Sequence, residues 1–244
     1  MPGQTVSVED GVDMSLAEDE LVQPVSDAAI VDRIVAAVME QRLPPRAKLP
    51  EAALCDAFAC SRTQIRRVLV VLAERGVVTL QPNRGAFVAS PDAETARAVF
   101  EARRAIERSI TLTAAVRIGA TALAELRANA QASAEAEASR RRGEAISLSG
   151  QFHLRLAEVA GNPVMAKFLE ELVARTSLII GLYGARRERA CPEGEHEAIV
   201  EALAARDAPR AADLMERHLK HIESALDVRD ALEEPIDIRG VFGK

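Results

Sequence analysis

Four histidines in the second half of the chain are the residues best suited to metal chemistry. His153, His196 and His218 lie in three separate segments with helical character, and His221 follows three residues after His218. If those helices face one another, three imidazoles can converge on a cation in the core of a helical bundle. Such a set suits zinc, nickel or iron, and a carboxylate or water would complete the shell. Taken singly, a helical histidine is more often a solvated or core-edge side chain than a ligand. His221 is either a spare ligand or an exposed side chain, and we expect it to be exposed.

A second group of residues suits DNA recognition. Arg62 and Arg66 are one helical turn apart, with Thr63 beside them, on the shoulder of an apolar stripe that includes Ile65 and Leu69. The two arginines can therefore enter a major groove while the apolar stripe stays in a core. The fork of an arginine side chain fits O6 and N7 of guanine. The alternative is that these arginines only form a solvated helix face.

The elements that must position these arginines are three short helices and a hairpin. Ser61 is a typical N-cap and Gly76 a typical C-cap for the helix that carries Arg62. A turn at Asn83-Arg84-Gly85 joins two apolar strands, so Arg84 and Gly85 lie where a wing would meet phosphate or the minor groove. Together they predict a winged helix-turn-helix, with helices at about 27–43, 51–58 and 61–75 and strands at 77–80 and 86–88.

The rest of the chain predicts only helices. Their caps include Pro91-Asp92, Asn162-Pro163 and Asp207 with Pro209. Because no repeat of 20–50 residues is visible, the pattern favours a bundle over a solenoid. We therefore predict a mainly α fold: an N-terminal winged helix-turn-helix followed by an all-helical bundle of six or seven helices. The segments are about 91–118, 121–142, 144–160, 163–184, 193–206 and 208–231.

Composition and charge divide the chain further. It has 244 residues, 48% of them hydrophobic, and a net charge of −6, which allows one or two domains. Residues 1–26 hold six acidic and no basic residues, whereas residues 27–91 hold nine basic and six acidic residues. The predicted division is a disordered acidic tail (1–26), a DNA-binding domain (27–90), an effector or metal-binding domain (91–232) and a C-terminal tail (233–244).

Several classes of protein are disfavoured by the composition. No apolar run approaches the roughly 18 residues that a membrane span needs. The basic n-region of a secretory signal is missing from the first 26 residues. Cys55, Cys60 and Cys191 form neither a disulfide framework nor a pair with zinc-ligand spacing. We therefore expect a soluble cytoplasmic protein.

The first domain resembles the DNA-binding head of the GntR family of bacterial transcription regulators. The resemblance lies in residues 49–72, which include Ser61-Arg62-Thr63-Gln-Ile-Arg66, and in Gly76-Val-Val and Asn83-Arg84-Gly85-Ala-Phe-Val88. It implies that Arg62 and Arg66 read bases, and that Thr63, Gln64 and Arg84 contact the DNA backbone or flanking bases.

Two positions depart from the pattern of that family. Arg46 follows Pro45 where the family often has glycine, and Ala59 also stands where glycine is common. Both departures concern turn geometry. Arg46 adds a candidate phosphate contact, and neither change removes a base-reading side chain.

The second domain, over residues 95–228, resembles the FCD ligand-binding domain of the FadR-type branch of GntR regulators. The resemblance rests on residue pairs and short motifs spread over the helices: Arg103-x-x-x-Glu107, Phe152-His153, Ala160-Gly-Asn162, Glu195-His196-x-x-Ile199, Asp207-x-x-x-Ala211 and His218-Leu219. It implies a divalent transition metal held by His153, His196 and His218. Metal-binding members also supply an aspartate one turn before the first histidine, where this chain has Ser149, which implies weaker metal binding or a water in that place.

The same resemblance implies a small carboxylate effector beside the metal. Arg103 is the candidate partner for the effector carboxylate, because a guanidinium fork matches a carboxylate. The alternative for Arg103 is an intrahelical pair with Glu107. Asn162 is a further candidate effector contact, although its role as a helix cap is sufficient to explain it, and Tyr183 is a candidate for lining the cavity.

These observations predict a homodimeric, effector-responsive transcriptional regulator, and they favour a repressor. Two winged heads related by a two-fold axis would read a near-palindromic operator. One alternative is a metal sensor in which the ion is itself the effector. Another is a zinc enzyme that activates water at an open coordination position, and a structural DNA-bridging protein is a weaker third.

Overall fold

The computed structural model describes residues 25–184, 194–228 and 236–242. The predicted acidic tail therefore lies outside the described residues except for Val25 and Ser26, and so does Cys191. The first part is a small head of three helices and three strands. Its elements are α1 (Asp27–Met39), β1 (Lys48–Leu49), α2 (Glu51–Phe58), α3 (Arg62–Glu74), β2 (Val78–Gln81) and β3 (Gly85–Val88).

The turn between α2 and α3 sets the orientation of the third helix. Ala59 ends α2 in the left-handed region, with φ of 49°, where a glycine would carry less strain. Ser61 then caps α3, and its hydroxyl oxygen accepts a hydrogen bond from the backbone N–H of Gln64 at 3.2 Å. The cap confirms the predicted start of α3.

The head also contains an antiparallel sheet with strand order β1-β3-β2. In the hairpin, Val78 pairs with Val88 and Gln81 with Gly85. The tip of the hairpin needs left-handed backbone, since φ is 60° at Asn83 and 98° at Gly85, and these two residue types tolerate it best. The two-residue strand β1 is not predicted by the sequence pattern. It pairs Lys48 with Phe87 and so completes the winged helix-turn-helix.

The second part is a bundle of six helices, which confirms the predicted fold class. Asp92, Asn162 and Asp207 each accept backbone N–H groups at a helix start, and Gly161 ends the third bundle helix with φ of 68°. The helices are α4 (Ala93–Arg117), α5 (Ala120–Ala138), α6 (Arg142–Ala160), α7 (Pro163–Tyr183), α8 (Glu195–Ala204) and α9 (Ala208–Ser224).

A short helix, α10 (Ile238–Phe242), lies within the predicted C-terminal tail of residues 233–244. Both Ile238 and Phe242 are buried, in the same apolar cluster as the core of the head. Five residues are too few to show helical periodicity, so the sequence gives no signal for this element.

The head rests directly on one end of the bundle. A Cβ atom at Gly181 of α7 would lie only 3.2 Å from Cα of Met39, so the close approach of α1 to α7 depends on this glycine. The side-chain amide of Gln41 donates to the carbonyl of Gly184 at 2.7 Å. Because these contacts join the two parts, one apolar core runs from the head into the bundle. Within the described ranges, no helix combines the length and the apolar run that a membrane span requires.

Candidate metal centre and nucleic-acid interface

Three histidines meet inside the bundle. His153 on α6, His196 on α8 and His218 on α9 each offer a ring nitrogen, and the three nitrogens lie within 4.8 Å of one another. The ring centroids are 5.4 Å apart for His153 and His196, 5.4 Å for His153 and His218, and 4.6 Å for His196 and His218. All three side chains are buried. The structure thus brings together the three residues that the sequence predicted as a set.

A buried carboxylate orients the first of these imidazoles. Oε2 of Glu107, on α4, lies 2.5 Å from Nδ1 of His153. Burial lowers the pKa of His153 to about 4, even though Glu107 opposes the shift. Burial alone would raise the pKa of Glu107, but the neighbouring His153 and Arg103 bring it down to about 2. At neutral pH a neutral His153 therefore donates its Nδ1 proton to an ionised Glu107.

This hydrogen bond leaves the Nε2 atom of His153 with a lone pair and no proton. The Nε2 atom is buried and has no hydrogen-bond partner in the part of the chain that the structure describes. Buried polar atoms are nearly always paired, so such an orphan calls for an explanation. An imidazole whose other nitrogen donates to a carboxylate is the usual arrangement of a metal-binding histidine. On this test, the residues present fit a divalent transition metal.

The other two histidines are held in similar ways. Nδ1 of His218 lies 2.8 Å from Oε2 of Glu195, and His221 hydrogen bonds to the other oxygen of Glu195. The side chain of His221 is 52% exposed, as predicted. His196 stacks on the ring of Phe152 at 4.2 Å. Burial holds the pKa of His196 well below its usual value, and the nearby Arg103 guanidinium acts in the same direction. Its imidazole is therefore neutral and able to bind a cation.

Two further predicted residues lie beside this cluster. Arg103 is 2% exposed, and its Nε donates to Oε1 of Glu107 at 2.5 Å while Nη1 donates to the hydroxyl of Thr176 at 2.6 Å. Of the two alternatives for Arg103, the structure therefore contains the pair with Glu107. Ser149 is nearly buried on α6, one turn before His153. It occupies the predicted position and brings no negative charge to the cluster.

The outer face of α3 forms a second candidate site, on the head. Arg62, Thr63 and Arg66 are exposed on α3. The opposite face, with Ile65, Val68, Leu69 and Leu72, is buried in the core. Nε of Arg66 lies 3.0 Å from both carboxylate oxygens of Glu51 at the start of α2, which holds this side chain at the outer surface of the head.

Gln64, the remaining candidate DNA contact on α3, hydrogen bonds within the protein. Its side-chain nitrogen donates to the carbonyl of Val25 at 2.7 Å. It is partly buried against the chain that leads into α1, because it lies on the flank of α3 and not on its outer face. The amide donor is therefore used inside the protein and is not offered to DNA in this structure.

The remaining candidate DNA contacts lie on the wing and beside it. Arg84 is exposed at the hairpin tip, with its guanidinium carbon 5.4 Å from the centroid of the Phe87 ring. Gly85 follows it at the start of β3. Arg46 is exposed with φ of 64°, and its backbone N–H donates to the carbonyl of Val88 at 3.1 Å. The two arginines thus flank the same strand.

Comparison with known families identifies the two parts of the chain. Residues 27–88 match the family described as "Bacterial regulatory proteins, gntR family", and residues 98–221 match the FCD domain. The chain belongs to the GntR family. This GntR protein is a transcriptional regulator with a winged helix-turn-helix head and a helical FCD domain.

Individual relatives agree with this assignment. The GntR protein is 28% identical over 210 residues to the uncharacterized HTH-type transcriptional regulator YcbG of Bacillus subtilis strain 168, covering 81% of this chain and 88% of the relative. It is 26% identical over 189 residues to the HTH-type transcriptional repressor RspR of Escherichia coli strain K12, covering 76% and 82%. A GntR regulator from Rhodococcus sp. RHA1 has the same fold, with a TM-score of 0.66, 22% identity and coverage of 81% and 95%.

Two further candidate effector contacts of the GntR protein form hydrogen bonds within the fold. The side-chain oxygen of Asn162 accepts the backbone N–H groups of Val164 and Met165 at 3.1 and 3.2 Å, so Asn162 caps α7. The hydroxyl of Tyr183 lies 3.1 Å from that of Ser90, and Tyr183 belongs to the apolar cluster shared with the head. Its position at the C-terminal end of α7 places it at the junction of head and bundle.

The cap role of Asn162 makes a testable prediction. Asn162→Ala should lower the free energy of unfolding by about 0.5–2 kcal/mol, because two backbone N–H groups lose their acceptor. Zinc binding should stay at the wild-type level, since the side chain is exposed at a helix start. Chemical denaturation and a zinc titration of the same variant measure the two quantities. A variant with unchanged stability but impaired zinc or ligand binding would contradict the cap assignment.

Proposed function

We propose that this regulator binds a divalent transition metal through His153, His196 and His218, and that a small carboxylate effector acts through this metal to control operator binding. The observation that carries the proposal is the buried Nε2 of His153, which has no partner among the described residues and lies beside two other buried imidazoles. The zinc-enzyme alternative is less favoured, because the matched families and relatives are transcriptional regulators.

The proposed roles of the chain's own residues follow from their contacts. Glu107 and Glu195 would orient His153 and His218 toward the ion, as carboxylates do in many metal sites. A bound metal would supply a positive centre that attracts a carboxylate. The hydroxyl of Thr111, one turn after Glu107 on α4, is also buried without a partner among the described residues. It would contribute a hydrogen bond to the effector.

The head is proposed to bind DNA through α3 and the wing. Arg62 and Arg66 would read bases in the major groove, and Thr63, Arg84, Gly85 and Arg46 would contact the backbone or flanking bases. Gln64 could join them only if it gave up its bond to Val25. The effector would act by binding unequally to the states of the protein that can and cannot bind the operator. The name of the relative RspR, a transcriptional repressor, favours repression.

A homodimer is proposed because one head covers only half of a palindromic operator. Four large apolar side chains at one end of the bundle support this, namely Leu112 and Val116 on α4 with Val164 and Phe168 on α7. The guanidinium of Arg117 donates to the carbonyl of Ala160, which brings the end of α4 close to the start of α7. An exposed apolar group of this kind fits the centre of a self-complementary two-fold interface.

The base-reading role is tested with Arg62→Ala. We expect discrimination between operator and unrelated DNA to fall by about 1–3 kcal/mol per half-site, because a lost bidentate contact to guanine costs that much. Gel-shift titrations on the region upstream of the gene measure the change. Arg175→Ala is a matched control, since Arg175 is exposed on α7 and forms an exposed ion pair with Glu171. Equal affinity and preference for wild type and Arg62→Ala would refute the groove assignment.

A further inference from the structure

The C-terminal helix α10 packs against the DNA-binding head. Its binding site there, called the aromatic seat below, is formed by Phe58 of α2 and Arg33 of α1. The ring of Phe242 lies 4.8 Å from the ring of Phe58, the last residue of α2. The guanidinium carbon of Arg33, on α1, lies 4.8 Å from the Phe58 centroid and 5.9 Å from the Phe242 centroid. Tilted aromatic pairs and cations over ring faces are both favourable arrangements. Phe242 is 5% exposed in this seat.

Polar contacts hold the same helix at both of its ends. Nη2 of Arg33 donates to the carbonyl of Phe242 at 2.9 Å, and Nη1 of Arg42 donates to the carbonyl of Val241 at 2.6 Å. The last carbonyls of a helix have no partner within the helix, so these two arginines satisfy them. Arg239 adds an exposed ion pair with Asp56 of α2 at 2.5 Å.

Because α10 follows the last bundle helix in the chain, its contacts with the head connect the head to the bundle. It follows α9, whose exit is fixed to the bundle: the backbone N–H of Asp227 donates to the carbonyl of Tyr183 at 3.0 Å, and Leu226 pairs with Gly184. A five-residue helix is not stable by itself in water. Its order therefore depends on the head, so the bundle and the head are tied together through α10.

The contacts of α10 leave the outer face of α3, the candidate recognition surface, exposed. The ring contacts and polar contacts of α10 fall on α1, on α2 and on Arg42 just after α1. Arg62 and Thr63 on the outer face of α3 remain exposed. A contact that restrains the head without covering α3 limits the head's motion and does not block DNA. We propose that α10 is an intramolecular clamp that fixes the head against the bundle and so presets α3 for operator binding. The second half of this inference rests on the proposed DNA-binding role of α3.

The clamp is tested with Phe242→Ala in the full chain. Amide hydrogen exchange in α2 should become at least about tenfold faster, and affinity for a duplex from the region upstream of the gene should fall about tenfold, which corresponds to about 1.4 kcal/mol. Exchange in α5, which is remote from the clamp, should not change. The conservative Phe242→Leu variant keeps an apolar side chain in the seat and should lie closer to wild type in both measurements.

Each outcome decides one part of the inference. If the amide exchange rate of α2 in Phe242→Ala stayed within twofold of wild type, α10 would not hold the head, and the clamp proposal would be overturned. Faster exchange with unchanged DNA affinity would overturn the preset role alone. A wild-type protein that binds no such duplex would refute the operator proposal and the preset role together, and the exchange data would still decide whether α10 is a clamp.

Discussion

Replacing Glu107 with alanine should lower the free energy of unfolding by about 3–5 kcal/mol, because removing one partner of a buried ion pair leaves an uncompensated charge. Glu107 is 1% exposed, and its two oxygens bind Arg103 and His153. In the variant the Arg103 guanidinium would keep only Thr176, and the Nδ1 proton of His153 would lose its acceptor. Urea denaturation of wild type and variant at pH 7 measures the difference.

Glu171→Ala is the matched control for this prediction. Glu171 and Arg175 also form a pair four residues apart on one helix, but their side chains are 62% and 56% exposed. An exposed pair of this kind contributes about 0–1 kcal/mol, so the control should be nearly as stable as wild type. A loss of less than about 1 kcal/mol for Glu107→Ala, similar to an exposed pair, would contradict the charge assignment.

The pH dependence of the stability difference between wild type and Glu107→Ala gives a second check of the charge assignment. The pKa of Glu107 is about 2 in the folded protein against 4.5 ordinarily, so its ionised form favours folding above pH 4.5 and this contribution disappears as the pH falls toward 2. The stability difference between wild type and Glu107→Ala should therefore shrink with acid. The pKa of His153 is about 4 against 6.5, so wild type should also lose stability between pH 6.5 and 4, as the unfolded chain takes up this proton.

Much of the fold is predictable because its helix ends carry local signals. Ser61, Asp92, Asn162 and Asp207 all stand at helix starts and all act as caps in the structure. A capping side chain contacts backbone only two or three residues away, so sequence spacing is enough to identify it. The prediction of a winged head and a bundle of six or seven helices depends mainly on these short-range contacts and on apolar periodicity.

The elements that the sequence pattern missed depend on distant partners. Strand β1 is ordered by β3, nearly forty residues later in the chain, and α10 is ordered by Phe58, Arg33 and Arg42 about two hundred residues earlier. Neither element is long enough to carry a periodic pattern of its own. Their existence follows from tertiary contacts that no local window contains.

The sequence predicts only part of the candidate site, because some of its contacts also depend on tertiary packing. Three histidines on separate helices predict a cluster, but the sequence indicates Glu107 only as a partner of Arg103 and not as the acceptor for His153. The helical spacing from Arg103 to Glu107 reveals the first contact, whereas the second depends on how α4 packs against α6. The sequence likewise does not show where the candidate effector contacts Asn162 and Tyr183 lie relative to the cluster, and the structure places them at opposite ends of α7.

Replacing His153 and His196 together with alanine should abolish stoichiometric zinc binding. Wild type is expected to retain one divalent ion per chain after dialysis, and the double variant almost none. Loss of an outer carboxylate partner alone typically costs about 10–100-fold in affinity, so loss of two nitrogen ligands should cost more. Metal analysis and a competitive zinc titration measure both quantities, and circular dichroism checks that the helices remain.

His221→Ala is the control that separates the cluster from its surroundings. His221 shares the carboxylate of Glu195 with His218, but its ring is half exposed and stands outside the group of three nitrogens. This variant should keep a full equivalent of zinc. If instead the double variant held as much zinc as wild type, the ion would be bound elsewhere. The orphaned Nε2 of His153 would then need a different partner, and the effector would have to act without a metal in this cluster.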